Sequence, residues 1–355
     1  MPLVLPKPAT KPRPSGKDAG PRRIKSGIRL RIVRSTPRRR GVRIRIAKLR
    51  PARGVLILRI AKPALLTRWL SAPGRGRSVA LSIVPGEMKL AVATPGAVAS
   101  WRRFSVQLPG RSVSPGIQSS NLQAPKAMVF ALRGLWRQTG LRKRRGGALS
   151  LVIPDQSVRM VSVPLEGRAP STSEGNAMAR WALRNALPQD HGDYRIDWAV
   201  LSGDSTPEAR NWLFALAASA SVVREYEALV ERLGLSVGRV VPASLAVAAS
   251  TDRAVAGDPT TARIVLCEMG GLPAALVEAD GIPRLHRAWR SPPADLSVDL
   301  RAIDTYVRQR LDLTLVEALV AGPRDWCSGV ASACAARGWH TTSVSSWSAH
   351  RGAMQ

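Results

Sequence analysis

The sequence predicts a two-domain α/β protein, and three observations carry that prediction. The stretch 148–203 reads strand, turn, strand, helix, strand without a gap. Hydrophobic alternation broken by Gly-containing turns marks strand pairs from about 78 and from about 263. A chain of 355 residues with 45% apolar content is long enough to bury two cores.

Charge is distributed unevenly. The chain carries 54 Lys and Arg against 24 Asp and Glu, a formal +30. Residues 1–77 hold 23 Lys and Arg and one acid, Asp18, so +22 lies there and +8 is left for the remainder. That segment alternates Arg with aliphatics, as in 28–33, 42–46 and 55–60, yet shows no organising caps or turns. It is read as a disordered basic tail or as translated upstream sequence; a strand with one basic face, lying on nucleic acid or an anionic membrane, is the rival. A chain starting at Arg75 is therefore expected to melt within a few degrees of the full one, checked by a thermal scan, and insolubility of the shorter chain would contradict this. Cys267, Cys327 and Cys334 are too few and too unevenly spaced for a disulfide framework or a zinc site, and are expected to be buried structural thiols of a cytosolic protein. No apolar run reaches the length of a membrane span, and no secretory leader is apparent.

From 78 on, each element has a local reason. Val79–Val84 and 88–93 alternate across Pro85-Gly86-Glu87, a hairpin. A third strand is expected over 101–108. A helix over Pro125–Gln138 opens on Pro and puts Met128, Leu132, Leu135 and Trp136 on one face. Ala148–Ile153 sends Leu149, Leu151 and Ile153 one way and Val152 the other, and Pro154-Asp155 turns the chain. A strand over 158–163 is expected to join the same sheet. A helix over 176–187, with Met178, Trp181 and Ala182 inward, stops at Pro188. Strands over 194–201 and 212–217 precede a helix over 222–233 whose apolar face is Val222, Val223, Tyr226, Leu229, Val230 and Leu233. A short helix follows over 243–249. The second half reads as strands over 264–268, 274–278 and 285–289, a helix over 295–311 with Leu296, Leu300, Ile303, Val307 and Leu311 inward, a strand over 315–320 and a helix over 327–336.

The order Leu151-Val152-Ile153-Pro154-Asp155, then Val158-Arg159, then a helix ending Ala186-Leu187-Pro188, then Asp197 within a strand, resembles the PilM family of actin-like type IV pilus assembly proteins. The resemblance implies an actin-like, ribonuclease H-like duplicated ATPase fold with a small inserted subdomain. It divides the chain into a basic extension (1–77), a first subdomain (78–170), an α, β, β, α insertion (171–240), a connecting helix and linker (241–262), a second domain (263–347) and a tail (348–355). It implies a scaffold at the cytoplasmic face of the inner membrane, holding the N-terminal peptide of a PilN-like single-pass membrane protein between the first subdomain and the insertion. Contacts with other pilus platform proteins and self-association belong to the same expectation. The cytoplasmic part of the type II secretion L protein is the nearest rival within the fold, but that relative continues into a membrane span.

In such folds each half places a hairpin loop on the phosphates of ATP with its Mg ion. The first loop of the family typically runs Asp, apolar, Gly, small residues, Lys. Here Ser82 replaces the acid, Val84 the first glycine, and Pro85 has no N–H to offer, while Gly86 and Lys89 remain. The second loop keeps Glu268, Gly270 and Gly271, and the adenosine-side turn keeps Gly322. A vestigial nucleotide site on these seven residues is expected, with no cofactor assigned and no catalytic residue named. An active ATPase or sugar kinase is the enzyme alternative, and Ser82 speaks against it. The four histidines, His191, His286, His340 and His350, show no partner at catalytic spacing, and no P-loop or nucleophile elbow is present.

Overall fold

In the computed structural model the chain divides into Met1–Arg53 and Gly54–Gln355. The described residues all fall in the second unit: 79–94, 100–118, 120–141, 148–166, 168–188, 193–202, 211–251, 258 and 260–344. The basic segment up to 78, the tail 348–355, His191 and His350 lie outside them.

Two five-stranded sheets share one plan. In the first, β1 (Val79–Val84), β2 (Glu87–Thr94) and β3 (Ser100–Gln107) form an antiparallel meander, α1 (Pro125–Gln138) crosses over, and β4 (Ala148–Ile153) returns parallel to β1. The outer strand β8 (Ser236–Pro242) is parallel to β4, giving the order β3-β2-β1-β4-β8. The second sheet repeats this with β9 (Thr261–Met269), β10 (Leu272–Ala279), β11 (Ile282–Ala288), α5 (Leu296–Leu311), β12 (Thr314–Ala321), α6 (Arg324–Ala335) and β13 (His340–Val344), in the order β11-β10-β9-β12-β13. Both crossings to the central parallel pair bury their helices as the spacing predicts. Met128, Leu132, Leu135 and Trp136 of α1, and Leu300, Ile303 and Val307 of α5, are buried, with Leu296 and Leu311 packed at the margin.

Between β4 and β8 lies a third sheet, β5 (Val158–Leu165), β6 (Tyr194–Ser202) and β7 (Asn211–Ser219), in the order β5-β7-β6. This corrects the expected partner of β5. It pairs antiparallel with β7 from Val158↔Ala218 to Leu165↔Asn211 and leaves the first sheet at the short 3-10 turn Asp155–Ser157. The helix α3 (Ala220–Glu231) is correspondingly part of the first half. Its Tyr226, Leu229 and Val230 sit in one core with Met128 and Leu132 of α1, in the position α6 takes in the second half. The inserted piece thus reads β, α, β, β, and the strand over 236–242 and the strand over 340–344 are two that hydropathy alone did not reveal. In both, short runs lack clear alternation, and the partner of β8, β4, lies far off in sequence.

The helix of the insertion, α2 (Thr172–Leu183), starts four residues earlier than expected. Ser171 and Glu174 form a reciprocal capping box: the Ser171 hydroxyl accepts from the Glu174 amide at 3.3 Å, and the Glu174 carboxylate accepts from the Ser171 amide at 2.7 Å. Its inward face is also different. Gly175, Ala179 and Leu183 are buried, whereas Trp181 is 67% exposed. Small residues face the sheet because Trp198 of β6 supplies the bulk: a side-chain carbon on Gly175 would stand 2.2 Å from its ring. The small sheet leans on the edge of the second one, where Ser162 donates to the Pro283 carbonyl and the Arg284 guanidinium stacks 3.5 Å from the centre of a Trp212 ring. Burial pulls Arg284 down to about 10. Among the described residues no helix is long and apolar enough to cross a membrane.

Candidate functional site

The two sheets meet at their central parallel strands. Val84 of β1, Val152 of β4, Val265, Cys267 and Met269 of β9, Leu319 and Ala321 of β12 and the helix α4 (Ala243–Ala248) form one apolar cluster spanning both halves. Burial pushes the Cys267 thiol well above its usual range, and the Asp155 carboxylate beside it adds to this. Cys334 is pushed up to about 11 by burial in the second core.

Both hairpin turns sit at the mouth of this junction. The register Val84↔Glu87 leaves Pro85-Gly86 as a two-residue turn, with Gly86 at φ +75°. Opposite it, Gly270 and Gly271 turn β9 into β10 at φ +65° and +81°. The turns touch. A side-chain carbon at Gly270 would stand 2.4 Å from the Pro85 carbonyl oxygen and 2.8 Å from the Pro85 ring. The Pro85 ring and carbonyl thus stand directly against the Gly270 backbone.

The other predicted site residues occupy this region without converging on one point. Ser82 is buried in the middle of β1, paired with Lys89 on one side and Val152 on the other, and its hydroxyl has no hydrogen-bond partner among the described residues. Lys89 reaches Glu87 at 2.7 Å. The Glu268 carboxylate accepts from the Gly271 amide at 2.7 Å, capping its own turn. Gly322 has no room for a side chain either: a carbon there would lie 2.7 Å from the Trp326 ring and 3.2 Å from Glu268 Cβ. Among the described residues no three of His, Cys, Asp and Glu are grouped to hold a metal ion.

What sequence reasoning missed is a buried polar knot directly behind the turns. Asp155, at the end of β4, is 2% exposed. Its carboxylate accepts from the Ser244 amide at 3.0 Å and from the Ser244 hydroxyl, at the start of α4. His286 Nε2 of β11 lies 3.1 Å from the same carboxylate, and the Cys267 thiol at 3.9 Å. His286, for which the sequence shows no partner at catalytic spacing, thus meets Asp155 from 131 positions away. The neighbouring Gln156 donates from Nε2 to the carbonyls of Pro273, at 3.1 Å, and Trp289, at 3.0 Å. Two adjacent residues of the first half therefore hold β9, β10 and β11 of the second, as well as the helix between them. The Pro-Asp dipeptide reads as turn chemistry in the sequence, and partners 89 to 133 residues away leave no local signal.

The duplicated meander-plus-parallel plan, with an insertion between β4 and β8, is shared with a solved structure. A chain of a PilM-PilN type IV pilus biogenesis complex matches with a TM-score of 0.61 at 16% identity, over 78% of this chain and 90% of that one. The fold is actin-like and PilM-like. Weaker likenesses are to the cytoplasmic domain of EpsL, an inner membrane component of the Vibrio cholerae type II secretion system, and to a Bacteroides thetaiotaomicron protein with an actin-like ATPase fold. The first has 12% identity, 70% of this chain, 83% of its own and a TM-score of 0.43; the second 9%, 76%, 90% and 0.44. No family model and no curated protein matches the sequence. The Pro85–Gly270 contact joins the first hairpin turns of the two duplicated halves.

Proposed function

We propose that this chain is a PilM-like scaffold in the assembly of a type IV pilus or related secretion machine, one that holds a partner peptide and does not turn over ATP. The observation that carries the reading is the contact of Pro85 with Gly270. The residues present do not fit a nucleotide with its metal: the turns abut, Pro85 offers no amide, and the first-loop acid is a buried serine. The scaffold role rests on the likeness to a chain of the PilM-PilN complex, and the partner is then the cytoplasmic N-terminal peptide of a PilN-like single-pass membrane protein. Such a partner needs main-chain hydrogen bonds and a few apolar anchors, none of which depends on a phosphate site. Location at the inner membrane would follow from that partner.

The test is a thermal scan with synthetic N-terminal peptides of candidate membrane partners. At a hundredfold excess over Kd a ligand of the native state adds about 2.7 kcal/mol, so a shift of about 5 °C or more is expected for the true partner. Absence of any shift with every PilN-like peptide, beside a protein that folds and melts cooperatively, would contradict the proposal.

A further inference from the structure

The outward side of α1 carries a feature that neither core packing nor the junction uses. Lys126, Phe130, Arg133 and Arg137 follow one another at i, i+4, i+7 and i+11, which places them on one line along the helix, opposite the buried Met128, Leu132, Leu135 and Trp136. Phe130 is 79% exposed. Lys126, Arg133 and Arg137 are exposed, and none of them is in an ion pair among the described residues. Beside the C-terminal end of the helix, Arg102 of β3 donates to the Thr139 carbonyl at 3.1 Å and so brings a further exposed cation to the end of the stripe. Over residues 79–141 the sequence has seven Lys and Arg and a single acid, Glu87, which is engaged by Lys89. The face is thus cationic with one large aromatic standing out of it.

We propose that this stripe docks on an anionic phospholipid surface. A bound peptide would want a groove or a free strand edge, whereas this is the convex outside of a helix with a lone projecting ring. A bilayer interface suits that shape. The ring enters the headgroup and acyl boundary while the flanking Lys and Arg, whose long stems reach sideways, meet the lipid phosphates. Each cation near an anionic leaflet strengthens binding on the order of fivefold, so three or four on one line suffice for a salt-sensitive, reversible contact. The inference is independent of the partner peptide and of the nucleotide position.

The experiment is co-sedimentation of the full-length chain with phosphatidylcholine vesicles, with and without about one-third phosphatidylserine. Because residues 1–77 carry +22 of the charge, the comparison is between variants with the same change in net charge. Arg133→Glu with Arg137→Glu should lower partition into the anionic vesicles at least about tenfold more than Arg301→Glu with Arg310→Glu on the exposed side of α5. Phe130→Ser should weaken the same partition severalfold with the salt dependence unchanged, and all variants should melt close to the parent because the positions are exposed. Equal losses for the two charge-reversed pairs, or no response to Phe130→Ser, would overturn the proposal. So would vesicle binding that survives in the α1 pair while binding to an acidic peptide or to RNA is lost.

Discussion

Asp155→Ala should lower the melting temperature by on the order of 10 °C, the largest effect expected from removing one side chain in this protein. The carboxylate is buried and accepts from the Ser244 amide, the Ser244 hydroxyl and His286, so truncation strands several donors away from water. Leaving the two Ser244 donors buried without their acceptor costs about 1–3 kcal/mol each, at about 2–4 °C per kcal/mol for a protein of this size. His286→Ala alone should cost less, since Asp155 keeps Ser244. The double substitution should cost clearly less than the sum of the two, by about 0.5–3 kcal/mol, if the pair acts as one unit. Additive losses from thermal or denaturant unfolding would show that the two side chains do not communicate.

Gly270→Ala should destabilise by about 3 kcal/mol or more, against about 1–2 kcal/mol for Gly271→Ala next to it. Both glycines have positive φ, so an L-residue is strained at either place. Only Gly270 meets the other half: its new carbon would lie 2.4 Å from the Pro85 oxygen, while nothing lies within 4 Å of one on Gly271. The difference between the two variants therefore isolates the contact between the hairpin turns from backbone strain. Equal losses in urea unfolding would mean that the turns are not pressed together in solution.

The elements with a long, regular apolar face were legible from sequence, and those whose identity depends on a distant partner were not. For α1 the four buried residues are the four that spacing picks out, and for α3 the buried face agrees from Val222 to Leu233. The same periodicities mark the hairpins and helices of each half, while the duplicated plan was read through the family resemblance. By contrast β5 alternates as a strand would in any sheet, and only its eight-residue register with β7 assigns it to the insertion. The inward face of α2 was misread because bulk was taken for burial. There Gly175 faces the sheet for lack of space under Trp198, and the Ser171-x-x-Glu174 capping box, present in the sequence, marks the true start. At the candidate site, the Cβ at Val84 and the missing N–H at Pro85 were visible in the residue types. The closure of the gap was not, since it arises from Pro85 meeting a turn 185 positions further along. Asp155 is the sharpest case, because a turn residue became the polar centre of the junction through partners on α4, β9 and β11.

Under the proposed scaffold reading the chain itself fills the position a nucleotide would take, and a thermal scan with millimolar Mg-ATP tests this most directly. A ligand raises stability only as RT ln(1 + [L]/Kd), and turns in contact at Pro85, which has no N–H, disfavour a small Kd. The expected result is a shift of less than about 1 °C, unchanged by Lys89→Ala, whose ammonium is engaged by Glu87. A clear shift with Mg-ATP that disappears in Lys89→Ala would contradict the account and point to a working phosphate site between the hairpins.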